Sequence, residues 1–177
     1  MRTASSGFTF IEILVTVAVA AALSAIGIAG FVSYSRSQAL TAATSDVVTM
    51  LHLAKSKAQS QVKPSNCNIL VGYKVGLCQL SSIDCQPPET NNPSSGGKDY
   101  ALYAVCSADS VNPLVVNDSK KLSNNNTIQF ETTGTTSTAI FFNVITGGVT
   151  GFGNIKISGY GNQKTITVDA VGNITVQ

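Results

Sequence analysis

The feature that most constrains this chain is an uncharged run from Ile13 to Val32, which directly follows Glu12. The run contains 20 residues of Ile, Leu, Val, Ala, Phe and Gly, interrupted only by Thr16 and Ser24. As a helix it would extend ~30 Å, about the hydrocarbon thickness of a bilayer. The sequence therefore predicts a membrane-spanning segment at residues 13–32. The carboxylate of Glu12 lies at its edge, where burial is costly unless the charge is paired.

The residues before this run form a processing motif. Gly7-Phe-Thr-Phe-Ile-Glu12 ends a short leader, Met1 to Gly7, whose only charged side chain is Arg2. Phe8-Thr-Phe-Ile-Glu-Ile-Leu-Val15 resembles the F-T-L-I-E-L-L-V of type IV prepilins and type II secretion pseudopilins, with Phe10 in place of Leu. An ordinary secretory signal is the alternative interpretation. Its apolar region, however, has about 7–15 residues and does not follow an acid.

The resemblance implies cleavage between Gly7 and Phe8 by a prepilin peptidase, followed by N-methylation of Phe8. Glu12 would then be the fifth residue of the mature chain, where the family carries its assembly glutamate. We expect the carboxylate of Glu12 to pair with the α-ammonium of Phe8 on a neighbouring subunit, since the two charges neutralise each other where water is scarce. An uncharged anchor would need no acid at this position.

The resemblance also implies a location and a set of partners. The expected protein is a single-pass inner-membrane protein with a cytoplasmic N-terminus and its C-terminal domain outside. It would contact membrane lipid first, and then the inner-membrane assembly machinery. Other pilin subunits would be its partners in an extracellular pilus or a periplasmic pseudopilus.

A helix is predicted to continue well beyond the apolar run. Apolar residues recur at steps of three or four up to Ala58, and Gln61 and Pro64 mark the end, so the helix is assigned to residues 8–62. Leu51-His-Leu-Ala-Lys-Ser-Lys-Ala58 resembles the L-x-x-A-R-x-x-A of H-type pseudopilins and FimT-like minor pilins, with Lys55 where Arg is usual. The stripe consists of Leu40, Ala43, Val47, Leu51, Ala54 and Ala58.

Two glycines in the second half of the span, Gly27 and Gly30, allow two interpretations. They permit close packing of neighbouring helices, or they mark a point where the helix can stretch during filament assembly. The sequence does not choose between them.

Residues 63–177 are predicted to form an exported, β-rich domain, so the fold class is α+β: a long helix packed on a C-terminal antiparallel sheet, as in pilins. Short runs of β-branched and aromatic residues are separated by Gly-, Asn- and Ser-rich turns. The last two runs flank Asp169-Ala-Val-Gly172 as a hairpin. The predicted strands are Asn68–Val75, Tyr100–Cys106, Thr127–Phe130, Ala139–Phe142, Asn154–Ile157, Lys164–Val168 and Asn173–Val176.

Four cysteines, Cys67, Cys78, Cys85 and Cys106, all follow the apolar run. An even number in an exported domain favours two disulfides, for which three connectivities are possible. Cys78 with Cys85, and Cys67 with Cys106, is the preferred pairing, because it closes the base of the polar loop 81–98 and joins two strands. A zinc site that includes His52 is the alternative, but the cysteine gaps match no C-x-x-C pattern.

No catalytic, cofactor-binding or metal-binding pattern is found in the sequence. The glycine clusters match neither G-x-G-x-x-G nor the phosphate loop, and no G-x-S-x-G occurs. The family's DNA-binding members carry G-R-x-R after the last turn, where this chain has Gly172-Asn-Ile-Thr175, so DNA binding is not supported. The prediction is a protein without enzymatic activity, cofactor or metal. It is a filament subunit, most like the minor pilins, or alternatively a membrane-anchored adhesin that displays the loop 81–98.

Overall fold

The computed structural model describes residues 7–65, 67–80, 99–106, 114–123, 127–144 and 148–177, without the side chains of residues 25–27, 29 and 114–117. Within these ranges one helix, α1 (Phe10–Gln59), precedes nine strands, so the predicted α+β class is confirmed. The strands are β1 (Leu70–Leu77), β2 (Tyr100–Cys106), β3 (Leu114–Lys120), β4 (Ile128–Phe130), β5 (Ala139–Asn143), β6 (Val149–Thr150), β7 (Gly153–Gly159), β8 (Asn162–Val168) and β9 (Ile174–Val176). The chain divides into two compact units, Met1–Gln38 and Ala39–Gln177, and α1 contains residues of both.

The predicted membrane span is not supported by the structure. Among the described residues, we find no helix that is both long enough and apolar enough to cross a membrane. The span at residues 13–32 therefore stays a prediction. Four of its side chains, those of residues 25–27 and 29, lie outside the described part of the chain.

The strands of the predicted antiparallel β domain form two sheets. One sheet has five strands in the order β3-β2-β1-β5-β6, and the other has four in the order β4-β7-β8-β9. The β1–β5 and β4–β7 pairs join segments that are far apart in the sequence. Alternation along a strand predicts which face is buried, but it does not identify the partner strand.

One hydrophobic core joins the second half of α1 to both sheets. The predicted stripe is confirmed, since all six of its residues, from Leu40 to Ala58, are buried, together with Met50. Burial of each large aliphatic side chain contributes ~1.5–3 kcal/mol relative to exposure. The cluster includes Tyr73, Val75, Leu102, Ile140 and Phe142 from the five-stranded sheet and Ile155, Ile157, Ile166 and Val168 from the four-stranded sheet.

Two strands were not predicted, although all seven predicted strands are present within a few residues of their expected bounds. β3 ends at Lys120, and the side chains of Lys120 and Lys121 are both exposed. The sequence of β3, Leu-Val-Val-Asn-Asp-Ser-Lys, loses β propensity after its third residue. β6 has only two residues, too few to show a period.

The C-terminus of α1 is closed by a Schellman motif. The amide of Val62 donates to the carbonyl of Lys57, and the amide of Gln61 donates to the carbonyl of Ala58, both at 3.3 Å. Gln61 occupies the left-handed position of the motif with φ 53°. That position usually holds glycine, because a Cβ is unfavourable there.

Replacing Gln61 by glycine should therefore stabilise the protein, by about 0.5–1 kcal/mol, since glycine adopts the left-handed conformation without steric cost. Urea unfolding followed by far-UV circular dichroism measures the change. Gln59→Gly is the matched control, because Gln59 still has helical geometry and glycine there should destabilise by up to about 1 kcal/mol. Destabilisation by Gln61→Gly would contradict the assignment of the cap.

Candidate functional site

The predicted processing and assembly residues lie at the start of α1. Gly7 and Phe8 precede the helix, and Phe8 is 79% exposed. A Cβ added at Gly7 would have no atom within 4 Å. Glu12 is exposed and lies in the first turn of α1. The segment that holds the predicted cleavage bond is thus exposed. Residues 1–6 of the predicted leader lie outside the described residues.

The position of Glu12 in the sequence is also compatible with a local role in starting the helix, although the hydrogen bonds seen at this end of α1 are those of the backbone. The carbonyl of Thr9 accepts hydrogen bonds from the amides of Glu12, at 3.1 Å, and Ile13, at 3.3 Å. Thr9-Phe-Ile-Glu12 has the spacing of a capping box. A carboxylate in the first turn is also favoured by the positive end of the helix dipole. This role competes with any intermolecular role and must be separated from it by experiment.

Apolar side chains around Glu12 and beyond it are exposed. Phe10 is 80% exposed and Phe31 is 72% exposed. Contiguous exposed apolar surface of this kind marks a site of interaction with protein or lipid. We call these residues the apolar helix surface: Phe8, Phe10, Ile11, Ile13, Leu14, Val15, Val17, Val19, Leu23, Ile28, Phe31 and Val32.

A hydrogen bond from Lys55 links the second half of α1 to the C-terminal hairpin. Its Nζ donates a hydrogen bond of 2.8 Å to the carbonyl of Gly172. Gly172 has φ 79°, and a Cβ there would lie 2.9 Å from Cγ2 of Val149. Lys55, which stands where the family motif usually has Arg, thus connects α1 to the turn between β8 and β9.

The turn itself is organised by Asp169. Its Oδ1 accepts from the amide of Asn173 at 2.7 Å and from the amide of Val171 at 3.0 Å, and its Oδ2 accepts from Nδ2 of Asn173 at 2.8 Å. The backbone amide of Asn173 makes the largest contribution in lowering the pKa of the Asp169 carboxyl below its ordinary 3.8. Stabilisation by this carboxylate is therefore complete above the unfolded-state pKa and is lost as the pH falls through the lower folded-state pKa.

Asp169→Asn should make unfolding less dependent on pH in the acid range. The amide can still accept hydrogen bonds in the turn but does not titrate, so the variant should lose less stability than the parent between about pH 6 and about pH 2. Thermal unfolding midpoints across that range test this. Asn173→Ala should show an intermediate dependence of stability on pH, because it removes one side-chain donor to the Asp169 carboxylate and keeps the backbone donor. Parallel pH profiles for the parent and Asp169→Asn would contradict the proposed role of the turn.

A disulfide joins the start of β1 to the end of β2. Cys67 and Cys106 are bonded, with their Cα atoms 5.6 Å apart, which is one of the two expected pairs. Both side chains are buried in the core. Cys78 is disulfide-bonded as well, but Cys85 and the loop 81–98 lie outside the described residues. The Cys78–Cys85 pairing therefore stays a prediction.

Replacing both Cys67 and Cys106 by alanine should lower the free energy of unfolding by about 2–4 kcal/mol, because the bond closes a long loop, with a sequence separation of 39. Urea unfolding of the parent and the double variant measures this loss. Alkylation of the native, unreduced parent provides the control and should label no cysteine. Labelling of Cys67 and Cys106 in the unreduced parent would contradict the bond.

The most perturbed ionisable group belongs to the core. The hydroxyl of Tyr100 is buried without a hydrogen-bond partner among the described residues, and burial, then Asp46, Asp118 and Asp99, raises its pKa. The carboxylate of Asp99 accepts from the amide of Leu122 at 2.7 Å. In the described part of the chain no three His, Cys, Asp or Glu side chains are arranged to hold a metal ion, and His52 is exposed on α1.

Comparisons with protein-family models, with curated proteins and with solved structures found no match to this chain. The resemblance to pilins therefore depends on the motif around Glu12 and on the residues around Lys55 and the last hairpin.

Proposed function

We propose that this protein is a structural subunit of a type IV pilus or a type II secretion pseudopilus, of the minor kind, which assembles through its N-terminal helix after cleavage between Gly7 and Phe8. The observation that carries the proposal is Glu12, an exposed acid in the first turn of α1 among the side chains of the apolar helix surface. An acid in that setting lowers the stability of a simple membrane anchor. It has a use if a partner supplies the opposite charge.

The proposed partner is the new N-terminus of another subunit. Cleavage after Gly7 gives Phe8 an α-ammonium, and an incoming subunit would present it to Glu12 of a subunit already in the filament. Either charge alone is costly to remove from water, whereas the pair attracts strongly in a medium of low dielectric constant. The pair also sets the axial register, because apolar helix surfaces alone allow neighbouring helices to slide.

A capping role for Glu12, which the spacing from Thr9 allows, predicts a different result from the pairing role. Glutamine also fits the third position of a capping box, so Glu12→Gln keeps the cap while it removes the charge. Alanine removes both. Comparison of the two variants separates a helix-starting residue from an assembly residue.

In cells that carry the assembly machinery, Glu12→Gln should abolish or greatly reduce incorporation into filaments, because a subunit that lacks this anion cannot pair with the α-ammonium of its neighbour. The amount of this subunit in sheared filaments measures the effect. The mass of the mature N-terminus, which should begin at a methylated Phe8, shows that cleavage is intact.

The matched control moves the acid by one turn along the same helix face, as Glu12→Gln combined with Thr16→Glu. Net charge is restored but the axial register is not, so assembly should stay impaired. Normal incorporation of Glu12→Gln would overturn the pairing mechanism and favour a membrane-anchored binding module. A mature N-terminus inside the apolar run would indicate an ordinary secretory signal.

A further inference from the structure

The outer face of the four-stranded sheet contains a polar cleft of ≈ 290 Å³. It lies where β4, β7 and β8 meet the turn between β7 and β8. Its lining includes Gln129, Glu131, Ser158, Tyr160, Asn162 and Gln163. We call it the polar cleft. Nothing in the proposed filament mechanism uses it.

Three lining residues form one row across three strands. Gln129 is paired with Ser158 between β4 and β7, and Ser158 is paired with Gln163 between β7 and β8. Directly opposed residues of antiparallel strands project to the same face of a sheet. Ile128 and Phe130, on either side of Gln129, are buried in the core, so the row faces away from the core. The row therefore presents two exposed amides on either side of a hydroxyl.

The hydroxyl in the middle of this row has a fixed orientation. Ser158 Oγ donates a hydrogen bond to Oε1 of Glu131. Its oxygen can still accept a hydrogen bond, and the carboxylate keeps further acceptor sites. Each glutamine amide offers both donors and an acceptor. The floor of the cleft therefore offers amide donors and acceptors on either side of a hydroxyl oxygen that can accept.

An aromatic ring stands at the end of the cleft at a conformational cost. Tyr160 and Gly161 form the two-residue turn between β7 and β8, with φ 54° and 81°. Two positive φ values define a type I′ turn, for which Asn-Gly is strongly preferred. A bulky residue in the first position is a steric outlier. The Tyr160 side chain is 41% exposed, so it is accessible to a ligand in the cleft.

We propose that the polar cleft binds a neutral saccharide. A sugar ring presents hydroxyls that both donate and accept, matching the row Gln129, Ser158 and Gln163. Its C–H face carries slight positive charge and stacks on the negative face of an aromatic ring such as that of Tyr160. The volume of ≈ 290 Å³ is just below the usual range for small-molecule sites, about 300–1,000 Å³, and so suits a small ligand such as a single sugar ring.

Charge excludes the anionic ligands that polar clefts often hold. Among the described residues that line the cleft, Glu131 is the only ionisable one besides Tyr160. Its carboxylate repels phosphates and acidic sugars. The site is therefore selective for uncharged hexoses or N-acetylhexosamines.

The test uses the full chain in a zwitterionic detergent without a sugar headgroup. Saturation-transfer-difference NMR is recorded with the methyl glycosides of glucose, galactose and N-acetylglucosamine, and with glucuronate as the anionic comparison. At least one neutral glycoside should show transfer to its ring protons, and glucuronate should show none. Absence of transfer to all three neutral glycosides, or equal transfer to glucuronate, would overturn the proposal.

The decisive variant is Tyr160→Asn, because asparagine is the preferred residue of the turn. It should keep or raise the thermal unfolding midpoint while weakening sugar binding by about tenfold or more, since the stacking surface is lost. Gln163→Ala should weaken binding by about fivefold to tenfold through loss of one hydrogen-bonding group. Phe152→Ser, which removes an exposed aromatic ring outside the cleft lining, should leave binding unchanged. Binding that survives Tyr160→Asn, or that Phe152→Ser removes equally, would contradict the assignment of the site.

Discussion

The structure of residues 39–177 depends on the apolar stripe of α1 being buried against two sheets at once. Each sheet has one apolar face that must be covered, and the same helical segment contributes to covering both. The stripe combines three small residues, Ala43, Ala54 and Ala58, with three larger ones, Leu40, Val47 and Leu51, and all six are buried. Because one helix serves both faces, its end must be fixed accurately. The Schellman motif at Gln61 and the bond from Lys55 to the last turn both contribute to this.

Local sequence patterns predicted most elements but not how they combine. The 3.6-residue period of α1 and the two-residue period of β7 and β8 each reflect one buried face, which a single segment reveals by itself. Division into two sheets could not be predicted, because the β1–β5 and β4–β7 pairings depend on contacts between distant segments. β3 and β6 were missed because the one is polar in its second half and the other has two residues.

The two candidate sites also differ in how far the sequence predicts them. Gly7, Phe8 and Glu12 are close together in the sequence, so a motif can predict them, and the structure adds that Phe8 and Glu12 are exposed. When the role of a residue requires a second subunit, the structure of a single chain shows only whether that residue is accessible. The polar cleft has no sequence motif, because Gln129 and Gln163 are brought into one row only by strand register. The one local sign of it was the Tyr160-Gly161 pair, an unusual choice for a tight hairpin.

Gln61 and Tyr160 are the two described non-glycine residues with positive φ, and they differ in what compensates the cost. At Gln61 the hydrogen bonds of the helix cap form whatever the side chain is, so the residue is tolerated rather than required. The hairpin at Tyr160 likewise needs only the backbone conformation, which asparagine would adopt at lower cost. A glutamine at a helix end needs no special explanation. The Tyr160 side chain is exposed and lines the cleft beside a row of amides and a hydroxyl, so stacking on a sugar is a use for the ring that asparagine could not supply.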